Sequence, residues 1–302
     1  MKKVQVISYS QSGQLRAVID SFCAPLGQSD QVEVLFTPIQ PLAAFPYPWR
    51  FYEFFDTMAE SVLDRGCAIE PVAVATDADL VILGYTVWFL SPSMPVAAFL
   101  NSPAARALAG KPVVTLIACR DMWLMAQERI KEKLSALGAR HLDNVVFTDQ
   151  GRSLASFVTT PRWLLTGKKD RFWFFPPAGV AAEEIALASR FGERLLTALA
   201  HNEETGNAPL LAGLGAVRVV DKLVASEKIA LRSFRLWSRL MAWAGPSGSI
   251  GRRTVVSVYI LFLLLMIVTL VPLNLVKNAA AVRLNRERAQ AERRYYQAPS
   301  GE

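Results

Sequence analysis

The 302-residue sequence predicts an α/β fold: a parallel sheet wound on both faces by helices, with two further helices appended after it. Three observations carry this. Short β-branched runs recur, each passing through a loop into a helical pattern; one late stretch, 255–276, lacks any charged residue; and charge is divided unevenly along the chain. Residues 1–216 hold 19 Lys and Arg against 21 Asp and Glu, whereas 217–302 hold 14 against 5, so the formal excess of +7 lies in the last third.

The first strand is VQVISY at 4–9, and Gly13 to Cys23 then carries a helical apolar pattern. VEVLF at 33–37, DLVILGY at 79–85, PVVTLIAC at 112–119 and NVVFT at 144–148 complete five strands, each short and bounded by polar loops. MWLMAQERIKEKLSALG is the helix after the fourth. Strand, loop and helix in repetition give a sheet buried on both faces. Two aromatic inserts punctuated by proline, FPYPWRFYEFF at 45–55 and PRWLLTGKKDRFWFFPP at 161–177, either wall an apolar pocket, form satellite core or touch lipid. GVAAEEIALASRFGERLLTALAHN at 179–202 closes a sheet domain spanning 1–202, and 203–217 reads as a linker.

From 218 to 245 the pattern is amphipathic. Lys228, Arg232, Arg235 and Arg239 fall on one helical stripe, Leu223, Val224, Leu231, Phe234 and Met241 gather elsewhere, and Trp237 and Trp243 accompany them. Such a helix either lies in a membrane interface or packs on the sheet domain. Residues 254–277 read as a transmembrane helix, since 22 uncharged positions reach about 33 Å against a bilayer core of about 30 Å. A basic tail, 278–302, follows. Its arginines favour a cytoplasmic tail, while the absence of a signal-peptide pattern at MKKVQVISYSQSG places the sheet domain in the cytoplasm. One crossing cannot satisfy both, so either the tail crosses or the segment inserts without crossing. The expected location is the inner, cytoplasmic membrane.

The basic residues flank apolar segments, which suits acidic phospholipid and argues against nucleic acid as a partner. Cys23, Cys67 and Cys119 are widely spaced, so no metal site and no disulfide framework is expected.

In a doubly wound sheet the ligand sits beyond the carboxyl ends of the strands. Three loops lie there: 10–14, 86–93 and 120–123. The first offers Ser10, Ser12, Gly13 and backbone N–H groups at a helix start, which is either phosphate-binding chemistry or an N-cap and an ordinary turn. The second carries Trp88 and Phe89, suited to stacking on a flat cofactor, while Trp88 alternatively closes the sheet end or packs on Trp123. The third, CRDMW, brings Cys119, Arg120 and Asp121, of which the last two either act on a ligand or pair with each other.

YSQSGQ resembles the phosphate loop of flavodoxin-like proteins, and 86–95 and CRDMW resemble their second and third flavin loops. The resemblance covers about residues 1–200 and implies a sheet of order 2-1-3-4-5 binding FMN. It implies that Ser10, Gln11, Ser12, Gly13 and Gln14 hold the phosphate, that Thr86, Val87, Trp88 and Phe89 contact the ring, and that Cys119 lies beside it. Leu15 departs from the pattern, standing where that loop usually has a second hydroxyl residue. FPYPWR, VWFLSPSMP and CRDMWLMAQE resemble a narrower group encoded with dialkylresorcinol and aryl-polyene biosynthesis, whose members are labelled dialkylresorcinol condensing enzymes.

A thiolase-type condensing site needs a nucleophilic Cys with His or Asn partners, and neither His141 nor His201 lies in a strand-end loop. The expectation is instead an FMN-dependent oxidoreductase. It would aromatise an alkylated, lipid-like cyclohexane-1,3-dione to a resorcinol beside a ketosynthase partner, with Arg120 stabilising an enolate and Asp121 or Asp56 as base. A quinone reductase using NAD(P)H and a non-redox module holding a ketosynthase at the membrane are the alternatives.

Overall fold

The computed structural model describes residues 1–151 and 155–301. In chain order, β1 (Lys2–Ser8), α1 (Gln14–Gly27) and β2 (Val32–Pro38) lead to the short helices α2 (Phe51–Asp56) and α3 (Met58–Val62). β3 (Leu80–Tyr85) runs into a small hairpin, β4 (Val87–Trp88) and β5 (Ser91–Pro92), then α4 (Met94–Asn101). β6 (Pro112–Cys119), α5 (Leu124–Ala136), β7 (Arg140–Thr148), α6 (Ser156–Thr166), α7 (Ala182–Ala186) and α8 (Ser189–Ala200) finish the domain.

The sheet is parallel throughout, in the order β2-β1-β3-β6-β7, which counts as 2-1-3-4-5 among its five strands. Every residue of β3 and β6 is buried, as expected of central strands covered on both faces. On one face α1 packs on α8 through stacked Phe22 and Phe191. Elsewhere Arg129 of α5 donates to the carbonyls of Ser61 and Val62, tying α5 to α3.

The insert at 45–55 is helical from Phe51, and the one at 161–177 begins inside α6. Residues 203–217 are held on the edge strand rather than looped away from it. Val146 N–H donates to the Ala216 carbonyl, the Asp143 carboxylate accepts the N–H groups of Leu210 and Leu211, and Leu210, Leu211, Ala216 and Val217 are buried. Apolar side chains in that segment outweigh its Gly and Pro content.

α9 (Asp221–Trp243) and α10 (Ile250–Leu284) form an antiparallel hairpin. Trp237 of α9 lies 5.5 Å from the Tyr259 ring and 5.2 Å from Phe262, and at the far end Asn278 Nδ2 donates to Ser226 Oγ at 2.9 Å. The seam therefore runs nearly the length of α9. α10 starts against the sheet domain: Arg252 bonds Asp56 Oδ1 and Glu60 Oε2, each at 2.5 Å, with its own side chain 1% exposed. The segment expected as a basic tail, 278–302, is instead helical up to residue 297: it finishes α10 and forms α11 (Arg286–Gln297), where Asn285 Oδ1 accepts the Arg288 N–H at 3.3 Å.

α11 and the residues after it return to the domain. Arg293 pairs with Asp221, Tyr295 donates to Glu128 at 2.6 Å, and the Ser300 hydroxyl both accepts from the Asn144 N–H and donates to its carbonyl. Among the described residues one helix, at Ile250–Thr269, is long and apolar enough to cross a membrane, and little of it is buried.

Candidate functional site

Val4, Val6 and Ile7 hold β1 in the core, so the chain leaves the sheet at Ser8 and must turn into α1. Gly13 makes the turn with a left-handed φ of 81°, and a side chain there would meet no atom within 4 Å. Ser10 Oγ accepts the Arg16 N–H at 3.2 Å. Among the described residues the N–H groups of Gln11, Ser12, Gly13, Gln14 and Leu15 donate to no protein acceptor. Five donors at the positive end of a helix dipole make a cradle for an anion.

The long side chains of this loop are engaged elsewhere. Gln11 donates to the Pro46 carbonyl at 2.8 Å and accepts the Trp49 indole N–H at 3.1 Å, and Gln14 accepts the Val180 N–H at 2.8 Å. Gln11 therefore fastens the 45–55 insert beside the loop, and Gln14 Oε1 holds the chain at Val180. Leu15 is fully buried in the core.

In the second loop the Thr86 hydroxyl is buried without a partner. Trp88 does not meet Trp123; its indole stands edge-on to Tyr9, Phe45 and Trp49 at 5.9, 5.0 and 5.4 Å. Phe89 and Leu90 form the hairpin tip with left-handed φ values of 49° and 59°. Phe89 packs 4.9 Å from Phe54 and 6.2 Å from Phe234 of α9, so the hairpin reaches the appended helices.

In the third loop Arg120 Nε donates to Ser156 Oγ at 2.7 Å, its guanidinium lies 4.0 Å over the Phe157 ring, and Asp121 Oδ1 is 3.7 Å away. Burial pulls the Arg120 pKa down. Asp121 Oδ1 is buried without a hydrogen bond. Burial pushes the Cys119 thiol well above its ordinary value, which disfavours the thiolate.

Asp56 is not available as a base at this edge. Oδ1 bonds Arg252 and Oδ2 accepts from Ser247, so both oxygens face the helical hairpin. The carboxylate anchors α10.

The three loops flank the switch point where strand order reverses at β1 and β3, the place where such sheets take ligands. The fold is flavodoxin-like. No family model matches the chain, and no curated protein does. Among solved structures it is similar to a flavoprotein from Lactobacillus acidophilus NCFM in complex with FMN, at 14% identity and a TM-score of 0.39, over 48% of this chain and 93% of that one. A WrbA-like flavodoxin from Agrobacterium tumefaciens shares 8% identity at a TM-score of 0.38, over 67% of this chain and 99% of that one. An archaeal flavodoxin shares 14% at 0.34, over 64% and 99%. Strand order and connection, rather than these likenesses, establish the fold.

Two acids at this edge escape a reading of the sequence loops. Asp149, after β7, accepts the N–H groups of Gly151 and Gly179 at 2.7 and 2.6 Å and so shapes the wall beside Arg120. Glu227, fully buried in α9, accepts the Met125 N–H at 2.8 Å and so caps α5 from another helix. A signal for Glu227 does exist: it occupies an apolar position, between Val224 and Leu231 on the core-facing stripe.

Proposed function

We propose that the protein is a membrane-associated, FMN-dependent oxidoreductase that aromatises an alkylated cyclohexane-1,3-dione to a resorcinol beside a ketosynthase. The observation that carries the flavin part is the cradle at Gln11–Leu15, with five unanswered N–H donors and an open Gly13, next to the unpartnered Thr86 hydroxyl. These residues fit the group. Ser12, Gly13 and Gln14 would hold its phosphate through backbone N–H groups, Ser10 through its hydroxyl hydrogen, and Thr86 would face the ring system. When bound, FMN supplies two-electron oxidation, accepting a hydride as the dione also gives up a proton and becomes aromatic.

The chain's own part is to place the dione, steady negative charge on its oxygen and take the proton. Arg120 would steady the charge and Asp121, whose Oδ1 accepts no hydrogen bond but lies 3.7 Å from Arg120, would take the proton. Cys119 is buried, and burial disfavours its thiolate, which gives no support to carbon–carbon bond formation by this chain. Phe45, Trp49 and Trp88 suit an apolar substrate, and resemblance of the quoted stretches to dialkylresorcinol proteins supports the class.

A second reading, a non-redox module that holds a ketosynthase at the membrane, draws on the engaged Gln11 and Gln14 side chains and the enclosed Trp88. The visible spectrum of the detergent-solubilised protein with added FMN separates them. Bound flavin, bleached anaerobically by a cyclohexane-1,3-dione, is the expected result. Flavin that only NAD(P)H bleaches, with return of colour on adding a quinone, would favour a quinone reductase, and no flavin binding at all would favour the module.

A further inference from the structure

Both ends of α10 are fastened to the same body. Its first turns are held by Arg252 on Asp56 and Glu60, and the chain beyond it returns through Tyr295 to Glu128 and Ser300 to Asn144. A helix that crossed a bilayer once would leave its two flanks on opposite sides. α9 lies along it, moreover, so a crossing would carry Arg232, Arg235 and Arg239 into hydrocarbon.

The exposed sides of the two helices form one surface. At about 100° per residue, Ile229, Leu236, Leu240 and Trp243 fall within about 60° on α9, between its α10 seam at Trp237 and its basic stripe. On α10, Val258, Leu261, Leu264, Leu265 and Val268 cover an arc of about 120°, and Leu261 and Val268 are 68% and 75% exposed. On both helices the buried residues lie to one side of the seam and these apolar residues to the other. The pair therefore presents a plane of lipophilic side chains away from the sheet domain.

The basic stripe rims that plane. Arg235 and Arg239 border a cleft of about 370 Å³ with Arg129 and Lys133, opposed by Asp64 and Glu132. Lys133 is paired with Asp64, and Arg129 donates to backbone carbonyls and Ser91 Oγ. Among the described residues Arg232, Arg235 and Arg239 have no side-chain partner, so the rim carries surplus positive charge.

We propose that the α9–α10 hairpin is a monotopic surface: it lies flat in one leaflet of an anionic bilayer, its apolar plane among the acyl chains and Arg232, Arg235 and Arg239 on phospholipid headgroups. The inference deepens the membrane part of the reading above and is independent of its redox part. It also lets the sheet domain and the arginine-rich end of the chain share one side.

The test adds full-length protein, carrying a peptide tag at each end, to preformed sealed vesicles of phosphatidylcholine with and without phosphatidylglycerol. Protease outside the vesicles should remove both tags, and binding should favour phosphatidylglycerol and weaken with salt. Replacing the three arginines (R232Q, R235Q, R239Q) should weaken binding to the anionic vesicles by about a hundredfold, and L261D with L265D should abolish it. Both substituted sites are exposed, and an unchanged far-ultraviolet dichroism spectrum verifies folding. A C-terminal tag protected until the vesicles are lysed would overturn the proposal. So would equal binding to both vesicle types unaffected by the arginine changes, or a soluble dimer that ignores vesicles. The flavin spectrum reads the redox proposal separately.

Discussion

At the scale of single residues, the cradle depends on Gly13. Its φ of 81° is a conformation that costs an ordinary L-residue about 1–2 kcal/mol. Gly13→Val should retain the fold, because space around the position is open, yet turn the N–H groups and weaken FMN binding at least tenfold in a fluorescence titration. An unchanged affinity would place the phosphate elsewhere. The sequence made this loop legible because small hydroxyl residues, glycine and a helix start are contiguous in it. It did not disclose what Gln11 and Gln14 do. Their partners Pro46, Trp49 and Val180 lie 35, 38 and 166 positions away, beyond the reach of any local pattern. The role of Asp56 is hidden for a similar reason, since Arg252 is 196 positions off.

Among elements, the strands were readable because central parallel strands are apolar on both faces and hence continuous runs, as LVILGY and PVVTLIAC are. The appended helices were readable as helices but not in their arrangement, because length and hydropathy do not distinguish crossing from lying alongside. Packing decides that. The β4–β5 tip bears on it too: Phe89 and Leu90 hold left-handed backbone at about 1–3 kcal/mol each, compensated by burial of Leu90 in the cluster with Leu231, Met241 and Tyr259. Arg252 pins the same junction. Arg252→Met leaves Asp56 and Glu60 unpaired and should cost about 3 kcal/mol, the low end for a broken buried pair because those carboxylates are partly exposed. The loosened hairpin should then be cut faster by protease in the 245–249 turn, at unchanged flavin content; an unaltered cleavage rate would mean that apolar contacts alone hold it.

For the whole molecule, three groups with displaced titrations contribute to how stability varies with pH. Burial pushes Glu227 up to about 8 and Asp143 up to about 6, and pulls His141 down to about 4. A folded carboxyl that titrates above its unfolded value holds a proton that the unfolded chain has released, so stability falls as pH rises between the two values. His141 acts in the opposite sense, with stability lost as pH falls from 6.5 toward 4. Between pH 6.5 and 8 only Glu227 of the three titrates, and the melting temperature should decline across that window. Glu227→Gln keeps an acceptor for the Met125 N–H and should flatten the decline, melting higher than the parent above pH 8. Equal slopes in the two proteins would assign the dependence to other groups. The covered edge of β7 carries a different consequence, one of time. The backbone N–H and carbonyl of Asn144 are both answered by the Ser300 hydroxyl, so during synthesis at about 5–20 residues per second that position of the edge stays bare for several seconds after 203–217 have emerged. That interval coincides with the emergence of the long apolar helix α10, and a nascent chain stalled before residue 300 exposes both hazards together.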